Sequence, residues 1–266
     1  KQEKQKDMMN KNSFYAFMAA ALVTASCTTN EVPNDAISQS VTIVADVSSQ
    51  SRAPELGEDG SGTFTKGDVM TLCVENNPSL DYAYQEDGLT WGMLNPAGVT
   101  GQIKLSACYP KQTVSQEGTF DFNTLTAVNG DLLLSAAQTV TVGTAEAIRL
   151  TFNHALHCLD LSFTAGDGYS ADDLKSLTLS LNAKTTCVVD ASQGVIKEVK
   201  SVKGDYNVTG TKASFCLVPQ PTADVTLKIT VGGEVKTMLL SDLLQQLGTS
   251  QLNLKGGAKS TITLKV

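Results

Sequence analysis

Apolar and polar residues alternate along most of the chain with a period of two. The run from Val41 to Val47 places every second side chain on one face, which is typical of a half-buried β-strand. Similar runs separated by turn residues predict strands over residues 41–47, 69–74, 102–109, 148–152, 159–163, 177–181, 186–189, 214–218, 225–231, 235–240 and 260–266. Gly232 and Gly233 lie between two runs and predict a two-residue hairpin. The sequence therefore predicts an all-β sandwich protein.

Helical patterns are scarce, and a polar break divides the predicted strands into two groups. Ser241 to Leu247 predicts one short helix with a serine cap, and Ala171 to Leu174 predicts a single turn. About fifteen strands and the break near Asn153 favour two tandem β-sandwich domains over one large sandwich. We place these domains at residues 41–153 and 154–266, behind a polar tether over residues 27–40.

The first residues carry the pattern of an export signal. Four lysines precede an apolar run from Phe14 to Val23, which is too short for a membrane span of about 20 residues. Residues 1–26 are therefore predicted to be a signal peptide that is removed after export. Cys27 follows Thr24, Ala25 and Ser26 as in a bacterial lipobox, which predicts lipid attachment at Cys27. An ordinary secretory signal with a chance cysteine is the alternative, because Thr24 replaces the usual leucine or valine.

Charge and cysteine spacing exclude some classes of protein. The formal net charge is −7, and no stripe of Lys and Arg residues is present, so nucleic-acid binding is not expected. Five cysteines follow Cys27, and none forms a Cys-x-x-Cys pair. Their apolar neighbours favour buried thiols over disulfides at Cys73, Cys108, Cys158, Cys187 and Cys216.

No recognised catalytic or cofactor-binding motif is present, so we predict neither an enzyme nor a cofactor. The only histidines are His154 and His157. On a strand, residues three apart face opposite sides, so a shared metal ion is disfavoured and structural hydrogen bonding is preferred.

Four aromatic residues allow two interpretations. Trp91, Tyr82, Tyr84 and Tyr109 could line a carbohydrate-binding face or pack in the core beside a hairpin. Core packing is favoured because they alternate within apolar strands.

An ordered series of motifs resembles the fimbrillin-like proteins, the lipoprotein-derived subunits of type V pili in anaerobic Gram-negative bacteria. The similarity extends from about residue 41 to residue 266. Its motifs are Thr63-Phe-Thr-Lys-Gly-Asp-Val69, Tyr82-Ala-Tyr84, Trp91, Ala107-Cys-Tyr-Pro110, Asp131-Leu-Leu133, Leu150-Thr-Phe-Asn-His-Ala-Leu156, Leu252-Asn-Leu-Lys-Gly-Gly257 and Thr261-Ile-Thr-Leu264.

The resemblance implies two transthyretin-like β-sandwich domains and assembly with other pilus subunits by strand exchange. In that scheme the lipid on Cys27 delivers the precursor to the outer membrane, and an Arg-specific protease removes the anchor with the first strand. Arg52 is the candidate cleavage site, because it is the one basic residue between Lys11 and Lys66. The displaced strand would carry Val41, Ile43 and Val47, and an ordinary loop role for Arg52 is the alternative.

The last strand limits the predicted position of the subunit in the fibre. Ile262, Leu264 and Val266 alternate in it and are expected to complete the second domain. The chain could therefore only accept a strand, as a tip subunit with an adhesive role would, or donate its own last strand by detaching it. A second hypothesis is a monomeric surface lipoprotein that binds glycans, and a secreted hydrolase is disfavoured.

Overall fold

The structure is a computed structural model that describes residues 37–48, 63–127, 130–166 and 168–266. The predicted signal peptide, Cys27 and Arg52 lie outside the described residues. The prediction of an all-β fold is confirmed. The strands are β1 Ile43–Val47, β2 Val69–Val74, β3 Leu80–Ala83, β4 Gln102–Tyr109, β5 Thr119–Asn123, β6 Leu133–Thr141, β7 Ile148–His154, β8 His157–Thr164, β9 Thr178–Lys184, β10 Thr186–Asp190, β11 Val195–Val199, β12 Lys203–Thr209, β13 Lys212–Leu217, β14 Gln220–Pro221, β15 Thr226–Val231, β16 Glu234–Leu239, β17 Asn253–Leu254 and β18 Lys259–Lys265.

Helices are short and connect strands. Helix α1 spans Trp91–Leu94 and α2 spans Leu240–Gln246, with 3₁₀ turns at Asp173–Ser176 and Thr222–Asp224. The predicted serine cap is wrong, because the residue at the N-cap of α2 is Leu239 and it makes no side-chain cap bond. Ser241 instead lies inside the helix.

The first half of the described chain forms a six-stranded sheet in the order β1-β7-β6-β4-β2-β3. The inward side chains of these strands share one apolar core with Phe64, Leu89 and Trp91. Phe64 packs near the centre of this core, and its ring centroid lies 4.9 Å from that of Phe152 and 5.2 Å from that of Tyr109.

The second half forms two further sheets that enclose a second core. Their strand orders are β12-β9-β15-β16 and β13-β8-β18. The predicted hairpin at Gly232 and Gly233 is confirmed, since Val231 pairs with Glu234 across it. Both glycines have positive φ, of 57° and 83°, as a type I′ turn requires.

A fourth sheet, which we call the junction sheet, joins strands from both halves. Its order is β11-β10-β5, so β5 of the first half pairs with β10 of the second. Phe120, Phe122, Cys187 and Val189 are buried in a third apolar cluster at this sheet. The two halves therefore share a sheet and a core in addition to their own cores, and the domain boundary at residue 153 stays a prediction.

Candidate functional site

Strand β1 lies at the edge of the six-stranded sheet and runs parallel to β7. The register pairs Ile43 with Ile148 and Val47 with Phe152. The Ile148 amide donates to the Thr42 carbonyl at 2.9 Å, and the Ser48 amide donates to the Phe152 carbonyl at 2.9 Å. Strand β1 is the outermost strand of this sheet, next to β7. Its removal would therefore expose the backbone groups along that edge of β7.

The apolar side chains of β1 belong to the first core. Val41, Ile43 and Ala45 are buried, and Val47 packs against the same cluster while partly exposed. The inward direction predicted for Val41 and Ile43 agrees with this placement. Ala45 fills the position between Ile43 and Val47, and the sequence reasoning missed it because a small side chain carries a weak alternation signal.

On the side away from β7, β1 and the residues just before it form single bridges with two other segments of the chain. Ser40 forms an antiparallel bridge with Thr90, and Asp46 forms one with Thr63. The Val41 amide donates to the Leu89 carbonyl at 2.8 Å. Thr63 is the next described residue after Ser48, and Arg52 falls between these two in the sequence.

Arg149, the only arginine besides Arg52, lies within β7. Its side chain is exposed, but its backbone pairs with Val44 of β1, and its carbonyl accepts a bond from the Gln138 Nε2 at 2.7 Å. A protease needs a backbone that can leave its sheet, so Arg149, which lies inside a paired strand, is a poor cleavage site.

Strand β18 mirrors the geometry of β1 at the other end of the chain. It runs parallel to β8 at a sheet edge, with Ile262 opposite Leu161 and Leu264 opposite Phe163. Ile262 and Leu264 are buried in the second core, and Val266 packs against it while partly exposed.

Polar contacts also hold β18 in place. Lys259 forms an ion pair with Asp160 at 2.8 Å, and the Ser162 and Thr263 hydroxyls lie 2.8 Å apart. The Val266 amide donates to the Thr164 carbonyl at 3.0 Å. The strand is therefore fastened by side chains as well as by its backbone.

The two histidines point to different partners, as expected for a structural role. The His154 Nδ1 lies 2.5 Å from the Asp131 carboxylate. The His157 ring contacts the Lys255 carbonyl at 3.0 Å and the Ser260 hydroxyl at 3.1 Å. Burial lowers the pKa of His157. Among the described residues no group of three or more His, Cys, Asp and Glu side chains could hold a metal ion.

The four aromatic residues pack as core residues. Trp91, Tyr82 and Tyr84 are buried in the first core, and Tyr109 packs against it. They form no exposed stacking face for a sugar in this arrangement. The core interpretation is therefore the better one.

A depression of about 670 Å³ lies near the junction sheet. It is lined by Glu75, Asn76, Lys104, Gln116 and Gln193 among others, and the residues that line it include no aromatic ring. In the part of the chain that the structure describes, no helix has the length and apolarity to cross a membrane.

The fold is that of an all-β protein with one parallel edge strand near each end of the described chain. A family model described as fimbrillin-like matches residues 98–266, which is more than half of the 266 residues. The chain belongs to the fimbrillin-like family. No curated protein matches the sequence.

Solved structures with this fold come from Bacteroides species. A candidate cell adhesion protein from Bacteroides uniformis has a TM-score of 0.62 and 18% identity, over 85% of this chain and 93% of its own. Similar candidate adhesion proteins from Bacteroides thetaiotaomicron and Bacteroides ovatus have TM-scores of 0.55 and 0.54, each at 16% identity over 85% of this chain and 93% and 92% of their own. At these identities the likeness establishes the fold.

Proposed function

We propose that this chain is a structural and adhesive subunit of a cell-surface pilus, and that it is assembled by exchange of β1 for a strand of another subunit. The observation that carries the proposal is the placement of β1. It is an edge strand, it supplies buried side chains to the first core, and Arg52 follows it directly in the sequence.

Loss of β1 would leave a site that strongly favours a replacement strand. Val41 and Ile43 are buried, and each such side chain contributes about 1.5–3 kcal/mol on burial. Without them, the first core, which includes Phe64 and Phe152, would be open to water along the edge of β7. The amide of Ile148 would also lose its bond to Thr42. A strand that restores both the side chains and the backbone bonds would bind tightly and specifically.

Cleavage at Arg52 would release β1 together with everything before it. The bridge of β1 to Thr63 and that of the preceding Ser40 to Thr90 are single pairs, so most of the pairing of β1 is with β7. The fragment would include Cys27, so the lipid would act as a temporary anchor. Such an arrangement converts a lipid-anchored precursor into an assembly-competent subunit in one step.

The test uses the purified precursor and an Arg-specific protease. We expect a single cut at Arg52, release of the fragment that contains β1, and oligomers that survive SDS. Arg52→Lys is the matched control, because it keeps the charge but removes the protease site, and it should remain intact and monomeric. A cut elsewhere, or a stable monomer after cleavage at Arg52, would contradict the proposal.

Strand β18 is the candidate donor within this chain. Its parallel pairing with β8 repeats the pairing of β1 with β7, and Ile262, Leu264 and Val266 carry the apolar alternation that the vacated site requires. In the alternative, the subunit is an acceptor at the tip of the fibre, and its β18 stays paired with β8. Amide exchange on β8 in the oligomer separates these positions, because a donor would withdraw β18 from its pairing with β8, whereas an acceptor at the tip would keep it.

Surface delivery through a lipid on Cys27 completes the proposal. The family supports a location at the cell surface, and the lipobox-like sequence supports attachment to the outer membrane. Labelling of cells with a palmitate analogue should mark the precursor, and Cys27→Ala should abolish the label. If the precursor stays unlabelled, its signal is an ordinary secretory signal and Cys27 carries no lipid.

A further inference from the structure

We propose that Cys158 and Cys216 form a redox-sensitive pair that closes to a disulfide between two neighbouring strands. Cys158 is in β8 and Cys216 is in β13, and the antiparallel register places them directly opposite each other. Both are thiols in this structure. The inference is independent of strand exchange at β1.

The backbone pattern gives the pair the geometry that a cross-strand disulfide needs. The Phe163 amide donates to the Thr211 carbonyl at 2.9 Å, so these opposed residues form a hydrogen-bonded pair. Hydrogen-bonded and non-hydrogen-bonded pairs alternate along an antiparallel ladder. Five steps further along the same unbroken register, Cys158 and Cys216 fall in the non-hydrogen-bonded class.

Residues in that class are the closer ones across the ladder. Their Cα atoms lie about 4.5 Å apart, which is within the range of about 4.4–6.8 Å that disulfides span. The two side chains also lie on the same face, because directly opposed residues always do. A disulfide would therefore require rotation of the side chains and little movement of the backbone.

The face that carries the pair is the outer one. In β8, Leu159 and Leu161 point into the second core, while Cys158 and Asp160 alternate with them and are partly exposed. The Cys158 thiol donates to the Asp160 carboxylate at 3.5 Å and lies 3.8 Å from the Ser214 hydroxyl, and both neighbours belong to this outer face. Cys216 is also partly exposed, although it packs against the third apolar cluster. A dissolved oxidant can therefore reach the pair from the side of Cys158.

The three other described cysteines differ in this respect. Cys73, Cys108 and Cys187 are buried in the cluster at the junction sheet. Burial raises the pKa of Cys73 to about 11 and that of Cys187 to about 12, and it raises the pKa of Cys108 as well. A thiolate is the reactive form, so these three cysteines are expected to be inert at neutral pH.

The closing reaction is thiol–disulfide exchange with a small-molecule disulfide such as oxidised glutathione. One cysteine loses its proton, and its sulfur attacks the glutathione disulfide, which forms a mixed disulfide and releases one glutathione thiolate. The second cysteine then attacks the protein sulfur of the mixed disulfide and releases the other glutathione. The protein loses two electrons and two protons, and oxidised glutathione becomes two reduced molecules.

The disulfide would fasten β13 to β8, which is the central strand of its sheet. Strand β18 pairs with the opposite edge of β8 and is not touched by the link. Strand β13 would thus stay paired with β8 when a pulling force acts on the subunit or when β18 moves. An oxidised subunit would resist unfolding of its second half while its last strand kept the same backbone partners.

The test oxidises the folded full chain that carries Cys27→Ser, so that no thiol at position 27 interferes. The protein is incubated with oxidised glutathione, the remaining thiols are alkylated, and the product is analysed by intact mass and peptide mapping. We expect a loss of two hydrogen atoms from the mass and one linked peptide pair that contains Cys158 and Cys216. Cys73, Cys108 and Cys187 should be alkylated only after unfolding.

Two variants keep the test decisive. The double variant Cys158→Ser and Cys216→Ser retains the buried thiols, should fold because both sites are partly exposed, and should form no link. The single variant Cys158→Ser should instead carry glutathione on Cys216. The proposal is overturned if both cysteines of the parent take up glutathione separately, if another pair links, or if the link forms only in denaturant.

Discussion

Strands β1 and β18 occupy equivalent edge positions near opposite ends of the described chain, but different contacts hold them in their sheets. Each is an edge strand that runs parallel to its neighbour and places two buried side chains in its core, Ile43 and Ala45 in β1 and Ile262 and Leu264 in β18. Strand β18 also has the ion pair of Lys259 with Asp160.

The lengths and surroundings of the two strands differ as well. Strand β1 has five residues and β18 has seven. The glycine turn before β18 packs closely against the turn between β7 and β8, since the Gly257 amide donates to the Leu156 carbonyl at 2.9 Å. The shorter ladder of β1 suits it to removal, whereas β18 has the longer ladder and the ion pair of Lys259 with Asp160. The contrast supports β1 as the exchanged strand.

The largest effects should come from a charge placed in either core. Ile43→Asp and Ile262→Asp should each lower the free energy of unfolding by about 3 kcal/mol or more, because each buries an unpaired carboxylate. Urea unfolding of the intact chain measures this. Thr42→Asp, directly before β1, and Thr261→Asp, within β18, are matched controls at exposed positions and should have little effect.

Cleavage at Arg52 should then change the effect of the substitution in β1 but not that of the substitution in β18. If β1 leaves, Ile43→Asp should no longer alter the stability of the cleaved chain, while Ile262→Asp should keep its full effect. A persistent effect of Ile43→Asp after cleavage would mean that β1 stays in its sheet.

A smaller loss is expected from Gly256→Ala beside β18. A Cβ at Gly256 would lie 2.4 Å from the Ala155 carbonyl oxygen, so the backbone must shift at a cost of about 1–3 kcal/mol. Thermal or urea unfolding measures the loss. In the control Gly204→Ala the nearest atom is the end of the Leu125 side chain, which can move, so the effect should be smaller.

Stability should also depend on pH through His157, which contacts Ser260 of β18. Burial lowers its pKa in the folded state, so the unfolded chain binds its proton more readily. Stability should therefore fall as the pH drops below about 6.5, the usual value for histidine, and level off below the folded pKa. His157→Asn should reduce this slope in urea unfolding from about pH 7.5 to about pH 5, and an unchanged slope would exclude His157 as its source.

The smallest change should follow loss of the ion pair that fastens β18. Lys259→Met removes a partly exposed contact with Asp160, which is worth about 0.5 kcal/mol and weakens in salt. Lys175→Met is the control, since Lys175 and Asp172 are both highly exposed and should contribute nothing measurable. Equal effects of the two substitutions would mean that the ion pair does not fasten β18.

Much of the fold could be predicted because its main signal is local. Strands β1, β4, β7, β8 and β18 contain clear alternation, β2 is a short run of mostly apolar residues, and the paired glycines define the hairpin before β16. Strand β12 was missed because Tyr206 and Val208 are its only large apolar residues. Strand β6 was missed because Leu133 and Leu134 are adjacent and small or polar residues follow, which breaks the alternation.

The candidate site could be predicted only in part. The alternation of Val41 and Ile43 indicated which side chains face inward, and the position of Arg52 after them was visible in the sequence. The parallel pairing of β1 with β7 joins residues about a hundred positions apart, and no local pattern encodes such a register. The shared sheet of β5 and β10 was missed for the same reason.

Amide hydrogen exchange at Ile148 tests the central claim most directly, because this amide donates to Thr42, the residue directly before β1. We expect slow exchange in the precursor, fast exchange in a subunit cleaved at Arg52 and kept dilute, and slow exchange again in the oligomer from which the β1 fragment is gone. The Cys158 amide, which bonds to the Ala258 carbonyl at 2.9 Å, should stay slow in the precursor and the dilute subunit. Fast exchange at Ile148 in the oligomer, or unchanged slow exchange after cleavage, would contradict replacement of β1 by a strand of another subunit.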